Sequence, residues 1–177
     1  MRIYLTKGSK ILYFHGGDHM WKKIKVYAIS IIIALGVGGL AAFLTRNSMD
    51  IYKEIILPPL APPSILFPIV WSVLYVLMGI GAAMVYLRRQ SEPRLVGDAI
   101  STYGINLVVN FMWSIIFFNF RRYLFAFIWL LFLLAIIIKM IFNFKKVRPA
   151  AAYLQIPYSL WVAFAGYLNL AIWWLNR

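Results

Sequence analysis

The chain has 177 residues, 63% of them hydrophobic and only 13% charged, against roughly 45–50% and about 25% in soluble domains, which excludes a water-soluble fold. With no Cys, two His and five acidic residues, disulfides, thiolate nucleophiles and zinc-finger sites are excluded as well. The net charge of +13 is carried by Lys and Arg at the ends of apolar runs, the distribution of headgroup anchors rather than of a nucleic-acid-binding surface. A bilayer core about 30 Å thick takes roughly 20 apolar residues per crossing, so five crossings use about 100 residues and leave short loops. The expectation is an all-α integral membrane protein, a bundle of five transmembrane helices, with membrane lipid and no nucleic acid as partner.

Residues 1–25 read as an N-terminal extension. Residues 1–19 have no helical apolar period and contain both histidines, His15 and His19, whereas Met20-Trp21-Lys22-Lys23-Ile24-Lys25 has the form of a membrane-protein start. Gly16-Gly17-Asp18-His19 can be encoded as GGA GGT GAT CAT, which sets a purine-rich ribosome-binding sequence just ahead of a Met20 start codon. The competing reading is a short cytoplasmic tail whose two His bind a metal, but no further ligand recurs at suitable spacing. A cleaved signal peptide fits less well, because no small-residue cleavage site follows a short apolar core.

The first span runs from Val26 to Leu44, and Gly38 and Ala42, four residues apart, let a neighbouring helix approach closely. Residues 45–64 form the longest loop, stiffened by Pro58-Pro59-Leu60-Ala61-Pro62-Pro63. The second span covers about 65–87, with Pro68 in its first turn, where a missing N–H costs little. The third covers about 99–118 and the fourth 123–142, antiparallel neighbours across a short link at residues 119–122. The fifth covers about 150–175, with a kink expected at Pro157 one to two turns in. Thirteen Lys and Arg fall on the side of the N-terminus and five on the other, or ten against five if translation begins at Met20. The positive-inside rule then predicts a cytoplasmic N-terminus.

Apart from Asp98 and Lys139 at their edges, the spans contain no acid or base, whereas proton pumps and ion-coupled carriers place such groups within the bilayer. What the spans carry is aromatic and amide groups at helical spacing. Phe67, Trp71 and Tyr75 form one stripe on span two; Asn106, Asn110 and Trp113 share a face of span three; Tyr158, Trp161, Ala165 and Asn169 share a face of span five. Asn in hydrocarbon needs a partner, so these faces should point inward. Two roles fit: interhelical glue, at about 0.6 kcal/mol per bond, or the lining of a ligand site. Trp21, Trp173 and Trp174 suit an interfacial belt, and Trp129 with Phe125 and Phe132 is expected to face lipid or a second subunit.

The ordered motifs Pro58 to Pro63, Phe67-Pro68-Ile69-Val70-Trp71-Ser72-Val73-Leu74-Tyr75, Asn106 to Trp113 and Pro157 to Asn169 resemble the tryptophan-rich sensory protein or translocator protein (TspO/MBR) family, over about 26–174. The resemblance implies a five-helix bundle, often homodimeric, that binds porphyrins such as protoporphyrin IX in a pocket between the first loop and the adjoining halves of the helices. By motif match that pocket falls on Tyr52, Pro62, Phe67, Trp71, Tyr75, Asn110, Trp113, Trp161 and Ala165. It also implies, for some bacterial members, light-dependent porphyrin breakdown at two tryptophans that correspond to Trp71 and Trp161. No membrane-embedded His or Cys is present to ligate haem iron, so a metal-free porphyrin is expected, with no cofactor.

Leu60 stands where the family commonly has Trp, and Ile51 where an aromatic is frequent, so stacking by the lid should be weaker. The nearest cation after Tyr167 is Arg177, ten positions on, which does not meet the cholesterol signature. The resemblance implies three candidate functions: a porphyrin-binding sensor that regulates tetrapyrrole metabolism in a bacterial plasma membrane, a light-dependent porphyrin-degrading enzyme, or a carrier of tetrapyrroles and other amphipathic ligands. For the start site, the protein expressed from its natural gene should have a mass beginning at Met20; a mass that includes residues 1–19 would reject that start.

Overall fold

The computed structural model describes residues 16–48 and 54–177. Among the described residues six α-helices run in chain order: α1 Gly16–Thr45, α2 Leu66–Tyr86, α3 Pro93–Ser114, α4 Tyr123–Val147, α5 Pro149–Tyr153 and α6 Ile156–Leu175. A single 3-10 turn, Arg46–Ser48, follows α1, and a π-helical turn, Ile115–Asn119, extends α3. Five helical segments are long and apolar enough to cross a membrane, with α5 and α6 together making the fifth, and no strand occurs among the described residues. The protein is an integral membrane protein with the all-α architecture expected.

The helix ends extend past the apolar runs. α1 starts at Gly16 rather than Val26, α3 at Pro93 rather than Ala99, and α4 continues to Val147 rather than stopping at Phe142. A helix needs only its own backbone hydrogen bonds to persist into a polar headgroup region, so apolarity marks the crossing and not the helix. Pro93 at the first position of α3 presets its φ. Lys145 and Lys146 in the last turn of α4 oppose its C-terminal partial negative charge.

The fifth crossing is two helices, not one kinked helix. A proline excludes the carbonyl four residues back, which for Pro157 belongs to Tyr153, and α5 ends at Tyr153. Pro157 then occupies the first turn of α6, where its missing N–H costs nothing. The side chain of Gln155 is fully buried at the break, its Nε2 donating to Ala151 O at 3.2 Å and to Leu77 O at 3.4 Å. The break is thereby tied to α2.

α1 packs along α2, α3 along α4, and α4 carries both α5 and α6. The α1–α2 contact is made at glycines. A Cβ at Gly79 would stand 2.6 Å from Ile31 Cα, and one at Gly38 would enter the ring of Tyr75. α6, by contrast, lies against α4 and reaches α2 and α3 through long side chains. The fully buried centre contains Met78, Leu130, Leu133, Ile137, Met140, Phe144 and Tyr158.

Trp129 departs from expectation. It is half-buried and its Nε1 donates to Val109 O at 2.8 Å, so it turns towards α3, while Phe125 and Phe132 remain exposed. An indole N–H in hydrocarbon has no water to bond and takes the nearest carbonyl.

Gly79→Ala is expected to lower stability by about 1–3 kcal/mol, the usual cost of overpacking, in SDS unfolding of the detergent-solubilised protein. Gly36, whose added Cβ would meet nothing within 4 Å, should show the opposite sign as Gly36→Ala, a gain of about 0.5–1 kcal/mol from helix propensity.

Candidate functional site

The stripe predicted on α2 faces the interior where α1, α3 and α6 converge. Together they enclose a cavity of about 120 Å3 at the end of the bundle that carries the long first loop. Phe67, Trp71 and Tyr75 line it from α2, Gly38, Ala41 and Thr45 from α1, Trp113 from α3 and Ala165 from α6. The π-helical turn contributes Phe117 and Phe118, whose rings meet edge to face at 4.9 Å. Trp71 and Trp113 stack with centroids 6.1 Å apart and planes 30° apart, and Trp113 stacks in turn on Phe117 at 5.7 Å. One wall is therefore a continuous run of rings. The α1 wall is small residues, which leave the space that the rings do not fill.

Below the rings lies a closed polar layer. Tyr75 Oη donates to Asn110 Oδ1 at 2.8 Å; Asn110 Nδ2 donates to Tyr158 Oη at 2.9 Å; Tyr158 Oη donates to Asn106 Oδ1 at 3.1 Å. Asn106 Nδ2 ends the chain on Met78 Sδ at 3.8 Å. Nearer the cavity, Trp113 Nε1 donates to Asn169 Oδ1 at 3.4 Å, and Asn169 Nδ2 to Ala165 O at 2.9 Å. No charged side chain is buried among the described residues, and no group of His, Cys, Asp or Glu there could hold a metal ion. The site works through aromatic surface, shape and neutral hydrogen bonds.

Over the cavity end, the first loop is fastened to the bundle at several points. The Ile56 backbone N donates to Asn176 Oδ1 at 2.8 Å and Asn176 Nδ2 donates back to Ile56 O at 3.0 Å. Tyr167 Oη donates to Pro59 O at 2.9 Å, and Arg121 pairs with Glu54 at 2.8 Å on the exposed surface. Ala61 N bonds Pro58 O at 3.2 Å, closing a turn with Pro59 second and Leu60 third at φ 67°. That is the third position of a type II turn, where glycine is usual. Leu60, where the resemblance leads one to expect Trp, is 80% exposed.

Of the nine residues assigned from motif match, Phe67, Trp71, Tyr75, Trp113 and Ala165 line the cavity. Asn110 is buried beneath it, its amide engaged on both sides. Trp161 is half-buried beside the lining, edge to face with Phe67 at 5.9 Å. Pro62 is half-buried in the loop, and Tyr52 lies outside the described residues.

A family model described as the TspO/MBR family matches residues 28–175, nearly the whole described bundle. The chain belongs to the TspO/MBR family. Among curated relatives, the tryptophan-rich protein TspO of Chlorobaculum tepidum is 32% identical over 158 residues, covering 89% of this chain and 99% of that one. Protein CrtK of Rhodobacter capsulatus is 30% identical, covering 86% and 94%. The translocator protein of Bos taurus is also 30% identical, covering 86% and 91%. This TspO/MBR chain thus aligns with nearly the full length of bacterial and animal members alike.

Thr45, Phe117, Phe118 and Asn169 complete the site without having been assigned to it. Spacing puts Asn169 on the inward face, and Gly38 and Ala42 form a surface for close helix approach. Their second role, opening a cavity wall, depends on which side chain lies opposite. Tyr158→Phe removes both hydrogen bonds of the central hydroxyl and should cost about 1–2 kcal/mol at roughly 0.6 kcal/mol or more per intramembrane bond. Tyr75→Phe removes one and should cost about half as much in the same unfolding assay.

Proposed function

We propose that this TspO/MBR protein is a receptor for porphyrins, protoporphyrin IX above all, in a bacterial plasma membrane with its N-terminus cytoplasmic, where it regulates tetrapyrrole metabolism. The observation that carries the reading is the wall formed by Phe67, Trp71, Trp113 and Phe117, a ring surface without a buried charge beneath a tethered proline loop. A flat, apolar macrocycle is the ligand shape that such a wall stacks best. The cavity of about 120 Å3 is smaller than the roughly 300–1,000 Å3 of ligand pockets. On this reading the lid lifts and the Phe67–Trp161 edge contact opens on entry, and Trp161 and Pro62 come against the bound ring. Homodimerisation would use the apolar surface that the bundle leaves open, of which α1 supplies Ile32, Leu40 and Phe43, each more than half exposed.

A second reading, light-dependent porphyrin breakdown, draws on Trp71, which is in ring contact with both Trp113 and Tyr158. An indole beside an excited porphyrin can donate an electron, with Trp161 as the second donor. Carrier activity has the weakest support, since Asp98 and Lys139 are both exposed and offer no buried coupling group.

Titration of the purified protein with protoporphyrin IX should give saturable quenching of tryptophan fluorescence. Trp71→Phe and Trp161→Phe should each weaken affinity about two- to tenfold, the range for a lost aromatic contact of about 0.5–1.5 kcal/mol. Absence of saturation, or affinities unchanged in both variants, would reject the receptor. Oxygenated porphyrin that forms in illuminated samples faster than in detergent alone would instead support the enzyme.

A further inference from the structure

A second recess, about 470 Å3, lies at the opposite end of the bundle between α1, α2 and α3. Its walls are apolar, with Val26, Ile29 and Ile33 from α1, Ala82 from α2 and Ile100 from α3. Ile29 and Ile33 are more than half exposed, so the recess opens sideways, towards the hydrocarbon. Only Ser30, Tyr86, Arg89 and Tyr103 bring polar atoms to it.

Two of these point to a ligand. Tyr103 is buried, yet its hydroxyl has no hydrogen-bond partner among the described residues. An unpaired hydroxyl in a medium without water is costly, and a native one calls for an acceptor or donor from outside the chain. Arg89, at the end of α2, is exposed; its guanidinium lies 4.4 Å over the Tyr86 ring and makes one long bond, 3.3 Å, to Tyr86 O. No carboxylate pairs with it among the described residues. Five crossings put Lys22, Lys23, Lys25, Arg88, Arg94, Lys145, Lys146 and Arg148 at this same end, with Asp18, Glu92 and Asp98 as its acids. The surplus is strongly cationic.

We propose that this recess binds an anionic phospholipid. The lipid phosphate sits against Arg89, one acyl chain runs along Ile29, Ile33 and Ile100, and an ester oxygen accepts from Tyr103 Oη. Charge complementarity selects the headgroup: a basic pocket between transmembrane helices at the cationic end of a bundle holds anionic heads, and the surrounding Lys and Arg oppose the ammonium of a zwitterionic one. The site is separate from the aromatic cavity and does not depend on what that cavity binds.

The full chain, purified in detergent and titrated with phosphatidylglycerol or phosphatidylcholine, tests this by native mass spectrometry. Phosphatidylglycerol should be retained at about tenfold lower concentration than phosphatidylcholine. Arg89→Gln should weaken phosphatidylglycerol retention severalfold, because it removes the cation that faces the phosphate. Tyr103→Phe should weaken phosphatidylglycerol retention severalfold without lowering the thermal midpoint of the lipid-free protein, because the hydroxyl it deletes bonds nothing there. Equal retention of the two lipids, or phosphatidylglycerol retention unchanged in both variants, would overturn the proposal.

Discussion

The Tyr158 hydroxyl accepts from Asn110 and donates to Asn106, holding α6 to two successive turns of α3, while Asn110 carries the bond on to Tyr75 of α2. Inside a bilayer none of these groups has water as an alternative partner, so any sliding or rotation that separates them leaves amides and hydroxyls unpaired in hydrocarbon. The lateral and rotational register of three helices is set by this one chain of bonds. Dispersion packing of Leu and Ile alone would not discriminate between registers, because lipid tails are as apolar as those side chains.

The cavity is a consequence of that arrangement. α6 rests on α4 but meets α2 and α3 through Tyr158, Trp161 and Asn169, whose length holds the helix axes apart. Rings fill most of the gap. Opposite them α1 offers glycine and alanine, and Gly38 is where Tyr75 comes closest. The same small residues that admit α1 to the bundle keep that side of the cavity open, and the loop tied to Asn176 and Tyr167 covers its end.

The polar layer also divides the bundle. On one side are the aromatic cavity and the proline loop; on the other are the recess at Arg89 and most of the basic residues that end the helices. The two halves differ in chemistry: one recess is walled largely by rings, the other by aliphatic side chains with a guanidinium at its edge. Proline placement follows the same economy of donors, at the first turns of α2, α3, α5 and α6, where a missing N–H leaves nothing unpaired.

Composition by itself determined a helical membrane protein with five crossings, because 63% apolar residues in runs of about 20 have no other stable disposition. The 3.6-residue period determined the inward faces of α2, α3 and α6, and with the motifs it made Phe67, Trp71, Tyr75, Trp113 and Ala165 legible as neighbours of one space. The family match extends over the same span, residues 28–175. Where helices end beyond the hydrocarbon was not legible, since a hydrophobic run measures the membrane and not the backbone hydrogen bonding. Nor was the turn of Trp129 towards Val109, the engagement of Asn110 by Tyr75 and Tyr158, or the tie from Gln155 to Leu77 O. Each depends on which atom of another helix lies within about 3 Å, and period on one helix carries no information about the partner across the gap. Only the tertiary structure decides that.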